Sequence, residues 1–166
     1  MAYADFMAEL VLGPMVRYVS GTEATVWVET DAKCEVEILG RRAASFHASG
    51  HHYAIVAITG LEPGSAHDYE VLLNGERRWP VAAGGFPASQ IRTLPDAGPI
   101  ELVFGSCRVT APHFPPYTLS PDKHKLGVGV DALYALGLRL RNQDPSEWPS
   151  MLLMIGDQVY ADHVSP

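Results

Sequence analysis

From about residue 9 to residue 95, apolar and polar positions alternate in short bursts. TEATVWVET (22–30) sets Ala24, Val26 and Val28 on one face and Thr25, Trp27 and Glu29 on the other, the period of a β-strand. CEVEILG, HHYAIVAITG and HDYEVLLNG repeat the pattern, each bounded by turn residues. Regular short strands separated by turn signals predict an antiparallel β-sandwich. Beyond RTLPDAGP (92–99), a Pro- and Gly-containing linker, the pattern changes. IELVFGS (100–106) and MLLMIG (151–156) are nearly continuous apolar runs, the signature of strands buried on both faces of a parallel sheet. Between them lies a Pro-rich polar loop, then VGVDALYALGLRLRNQ (128–143), with Val130, Leu133, Tyr134, Leu136 and Leu140 along one helical face, closed by Asn142 and Asp144–Pro145. Strand, helix, strand implies one βαβ crossover with parallel strands. Two domains are therefore expected: residues 1–95 as a sandwich, and residues 96–166 as the incomplete start of an α/β domain.

LEPGSAHDYEV (61–71) places Leu61, Pro63–Gly64 and Tyr69 in the arrangement of a tyrosine corner, a structural device of β-sandwiches. With Trp27 on an early strand, residues 10–95 resemble a fibronectin type III-like domain. Tyr69 and Trp27 are expected in its core.

The chain has 166 residues and a net charge of −7. It carries no basic stripe to neutralise phosphates, which excludes non-specific nucleic-acid binding. No segment is long and apolar enough to be a transmembrane helix, and MAYADFMAEL does not read as a signal peptide. The expected setting is cytoplasmic, or a chain lacking its export signal. Cys34 and Cys107 are too few and too far apart in sequence to form a disulfide framework.

In open α/β sheets ligands gather beyond the carboxyl ends of the strands. There the first apolar strand offers Gly105–Ser106–Cys107–Arg108 and the second Gly156–Asp157–Gln158–Val159–Tyr160–Ala161–Asp162. If the strands are neighbours, Cys107, Asp157 and Tyr160 converge, and thiolate, carboxylate and phenolate together suit a hard or borderline cation. Read one by one, Asp157 also fits a turn residue or helix N-cap, and Cys107 a buried small hydrophobe. Other chemistries fit poorly. Ser106 lacks a nucleophile elbow, His113 stands where a cysteine-phosphatase loop needs Arg, and no glycine-rich phosphate loop is present. Arg108 is a candidate phosphate contact or ion-pair partner. Asp162 is a candidate for a second metal or for orienting a ligand. His113 and His163 are expected beside the site without ligating, and His51–His52 in a solvated turn; His47, His67 and His124 show no ligand spacing.

FGSCR followed by LLMIGDQVYAD resembles the alkaline phosphatase D (PhoD-like) branch of the calcineurin-like metallophosphoesterases, relatives of the purple acid phosphatases, which also carry a small β-sandwich ahead of the catalytic domain. The resemblance implies a dinuclear or larger site of iron with calcium or another divalent metal, hydrolysing phosphate monoesters and diesters with metal-activated water. Asp157 would bridge the metals, Tyr160 would bind ferric ion, and Cys107 would be a further ligand. The family's Gly-Asn-His-Asp/Glu motif and later ligands do not occur in this sequence. The resemblance therefore implies the N-terminal portion of a metallophosphatase, inactive alone, with the remainder of that domain (same polypeptide or companion fragment) and a phosphate ester as partners. The alternative is a fibronectin-like binding module without catalysis, whose C-terminal segment is a docking extension.

Overall fold

The structure, a computed structural model, describes residues 7–81, 85–158 and 160. It divides into two compact units, residues 1–98 and 99–166.

The first unit contains β1 (Leu10–Val19), β2 (Glu23–Thr30), β3 (Glu35–Ile38), β4 (Arg41–Ala44), β5 (Phe46–Ala48), β6 (His51–Thr59), β7 (Ala66–Asp68), β8 (Val71–Leu73), β9 (Glu76–Trp79) and β10 (Gln90–Arg92). They form an antiparallel sheet of order β1-β2-β6-β5, a second of order β4-β3-β8-β9, and the pair β10-β7. Register follows the alternation in sequence. Ala24 lies opposite Ile58, Val26 opposite Val56 and Val28 opposite Ala54, so this face of β2 and β6 is apolar up to its last pair, Thr30 opposite His52. Ala24, Val26, Val28, Ala54, Val56 and Ile58 meet Val36, Ile38, Val71 and Leu73 of the other sheet in one core, each at most 1% exposed. Removing these side chains from water is the main force holding the unit together.

Two-residue loops close the β3–β4, β5–β6 and β8–β9 hairpins. Asn74 and Gly75 both adopt positive φ, 50° and 84°, the backbone that a right-twisted hairpin requires, and the Asn74 side chain accepts from the Glu35 amide at 2.9 Å. Leu39 takes the same left-handed backbone at the β3–β4 turn, φ 48°, without a side chain suited to it.

The histidines expected in a turn open β6 instead. The turn is Ser49–Gly50, one step earlier, where φ is 50° and 89°. Tyr69 is in the core at 7% exposure, and burial pushes its phenol up to about 12. Trp27 is not in the core. It is half-buried on the outer face of β2, because the smaller Val26 and Val28 occupy the inward positions.

The second unit contains β11 (Leu102–Gly105), α1 (Ala132–Arg141), a short 3-10 turn (Pro145–Glu147) and β12 (Met151–Met154). β11 and β12 pair in parallel, Leu102 opposite Met151 through Gly105 opposite Met154. The helix starts later than periodicity predicts because Asp131 caps it, accepting from the amides of Leu133 and Tyr134; Val128 and Val130 precede the cap. It stops at Asn142, whose amide returns to Arg139 and Leu140. The 3-10 turn is capped by Asp144, and Trp148 Nε1 donates to the Leu140 carbonyl at 2.9 Å. Both apolar strands, expected buried on two faces, are open: every residue of β12 is exposed, and so is Phe104 at 67%.

Candidate functional site

The carboxyl ends of β11 and β12 are tied by backbone. Cys107 N donates to the Gly156 carbonyl at 3.3 Å and Arg108 N to that of Asp157 at 2.9 Å. The Gln158 side chain adds bonds to the carbonyls of Gly105 and Gly156. Both chains turn sharply here, with Cys107 and Asp157 at φ 56° and 49°. These turns bring Cys107 Sγ to 3.6 Å from Asp157 Oδ2, as a thiol donating to a carboxylate. Tyr160 joins them. Its phenol is pushed up to about 12, first by its hydrogen bond with Cys107, then by desolvation and by the neighbouring Asp157 charge. The three residues picked out in the sequence thus lie side by side; Asp162 and His163 fall outside the described residues.

Proximity does not make a metal centre. Among the described residues, no group of three or more His, Cys, Asp or Glu side chains is placed to hold a metal ion. Among these residues Cys107 and Asp157 gain no third ligand of these types. Two metals sharing a site need several such donors around each ion. The expectation of an iron- and calcium-dependent phosphoesterase, with its dinuclear site and metal-activated water, is therefore overturned. The local motifs place the strand ends; they do not supply the ligand set.

Arg108 is engaged inside the unit. Its Nε donates to Asp131 Oδ1 and Oδ2 at 3.0 and 2.9 Å, and Nη2 lies 2.7 Å from Oδ2. Burial works to raise the Asp131 pKa. Hydrogen bonds from Arg108, Tyr134 and Leu133, with the guanidinium charge, outweigh it and hold the carboxyl below its ordinary value. One buried carboxylate thus caps α1 and anchors the strand end, and the fork points at it rather than at a phosphate. His113 stacks flat on Tyr134, ring centroids 3.8 Å apart. His124 accepts from the Leu126 amide, and His67 meets Ser65 Oγ at 2.7 Å. Both cysteines are free thiols.

A cavity of about 180 Å³ lies between the parallel pair and α1, lined by Val103, Phe104, Leu133, Leu136, Leu152 and Met154, with Ser106, Arg108 and Gln158 toward the strand ends. Its wall is mostly apolar, and its arginine is already paired.

Two features escaped the sequence reading. One is the partner of Arg108: an ion-pair role was one of the two expected for it, but Asp131 lies 23 residues away with no local signal beyond a helix cap. The other is an apolar outer face on the β1-β2-β6-β5 sheet. There Trp27 and Tyr53 rings lie 5.8 Å apart, Phe46 and Tyr53 6.0 Å, and His51 and Tyr53 5.9 Å. His51 Nδ1 pairs with the buried Glu29 carboxylate at 2.6 Å. The signal was present: Trp27, Tyr53 and Ile55 hold the supposedly polar phase of their strands.

No curated protein and no solved structure matches the chain. The profile of a domain of unknown function, DUF7800, matches residues 7–91, which is most of the first unit and none of the second. That match spans just over half of the sequence, and the chain belongs to this family.

Proposed function

We propose that the chain is a non-catalytic interaction module. A fibronectin type III-like unit carries a C-terminal docking extension, and the extension is completed by a partner polypeptide that adds a strand to the β11–β12 pair. One observation carries this reading: Leu102, Phe104 and Met151 through Ile155 are each between 40% and 67% exposed on a parallel pair. Parallel strands are stable when both faces are covered and their edges paired. Two strands with a single helix leave most of that surface in water. Covering these half-exposed side chains is worth on the order of 1 kcal/mol each before association costs. The carbonyls and amides of the open edges would fix register by strand addition. The partner chemistry is that of an extended apolar segment, not of an anion, since Arg108 is committed to Asp131.

The test uses the full chain and a labelled peptide copying residues 100–106. Saturable binding in fluorescence anisotropy is expected, lost in Phe104→Glu with Leu153→Glu. Absence of saturable binding, or binding indifferent to those substitutions, overturns strand addition. Turnover of p-nitrophenyl phosphate by the chain would overturn the non-catalytic reading.

A further inference from the structure

The first unit has a second unpartnered surface, independent of the parallel pair. An antiparallel sheet covered on one side normally turns polar residues to water. The outer face of the β1-β2-β6-β5 sheet does not. Register places Met15, Trp27 and Ile55 in one row across three strands, and Leu12, Glu29, Tyr53 and Phe46 in the next. Leu12, Met15, Tyr18, Phe46 and Ile55 are 40% to 56% exposed. The sheet is thus apolar on both faces, whereas its edges are guarded. β1 carries Pro14, which has no amide hydrogen, and three register irregularities; β5 is three residues long. Such edges resist strand addition, so any association uses the face.

From this face we infer that the chain self-associates as a dimer, two copies packing their β1-β2-β6-β5 sheets face to face about a twofold axis. Charge favours a second copy. Glu29, the carboxylate within the rows, is already bonded to His51. At the β1–β2 end, Arg17 (its guanidinium 3.6 Å from Met15 Sδ) and Glu23 carry opposite signs. Like faces can therefore meet without stacking unpaired like charges, although the whole chain is at −7. Area sets the strength. Three strands about 4.8 Å apart, with about 3.3 Å per residue along the eight residues of β2, and the three-residue β5 present roughly 430 Å² per copy. The total of about 850 Å² falls in the range of weak, transient interfaces, below the roughly 1,000 Å² of a stable one, so the dimer is weak, with a dissociation constant of order 10 µM or above. Sheets packed in this way interdigitate side chains about 10 Å apart, within reach of the Trp27, Tyr53 and Phe46 rings.

Sedimentation velocity of the full chain from about 1 to about 200 µM brackets that constant. A monomer–dimer equilibrium is expected, weakened at least about tenfold by Ile55→Lys, because a buried unpaired ammonium is costly at a dry interface. Phe104→Glu, on the parallel pair, should leave it unchanged, which separates this dimer from docking through the second unit. If Ile55→Lys loses its β-sheet circular dichroism, Phe46→Lys on the short edge strand carries the same test. A chain monomeric throughout overturns the inference, as does association that survives the face substitutions and disappears in Phe104→Glu.

Discussion

The buried phenol of Tyr69 makes the first unit sensitive to alkali in a way that one substitution should remove. The ring sits in the core at 7% exposure, and burial pushes its pKa up from 10.0 to about 12. The folded state therefore keeps its proton across a range in which the unfolded chain has lost it. A group whose pKa is raised on folding contributes its full stability below the unfolded value and loses it as pH rises toward the folded one. The window here runs from pH 10 to about 12. At about 1.4 kcal/mol per unit, the loss across it reaches about 3 kcal/mol. Urea unfolding followed by circular dichroism at several pH values in this window should show it. Tyr69→Phe, which has no proton to lose, should fall less steeply by about that amount. Parallel pH profiles for the two proteins would refute the argument, since lysines and the other tyrosines titrate equally in both.

Leu39→Asn should stabilise the first unit by about 1 kcal/mol in the same urea assay, because Asn tolerates the left-handed backbone at which Leu39 sits with φ 48°. Asp131→Ala removes the α1 cap and the partner of Arg108 together; a loss of about 2 kcal/mol in the helical thermal transition is expected, and a smaller one for Asp131→Asn, which keeps the cap. Because the Asp131 carboxyl is held low, its contribution is present above its ordinary value of 3.8 and should fade as pH drops below it, visible as acid loss of the helix signal. Ferric ion added to the chain should give no phenolate-to-iron band in the visible spectrum; a band abolished by Tyr160→Phe would reinstate the metal reading that the ligand count overturned.

What the sequence made legible follows from the range of each interaction. The inward phase of β2 could be read because Ala24, Val26 and Val28 are uniformly apolar. Which aromatic lies inside could not, since Trp27 occupies the opposite phase and an apolar outer face mimics a core. Periodicity carried the helix back to Val128, whereas Asp131 decides its start through side-chain bonds to two amides. The strand-end residues came together because parallel pairing brings both carboxyl ends to one edge, as Cys107 and Asp157 show. Whether they bind metal depends on how many donors surround a point in space, which spacing along a chain does not encode.

Amide exchange on the full chain, read by mass spectrometry, addresses the docking extension most directly. Slow exchange is expected in β2 and β6, which are paired on both edges and pack one face into the core. Exchange should be fast over residues 100–106 and 151–156, where the parallel pair is open on its edges and faces. Protection there equal to that of β6 would mean that the second unit is complete by itself and needs no partner strand.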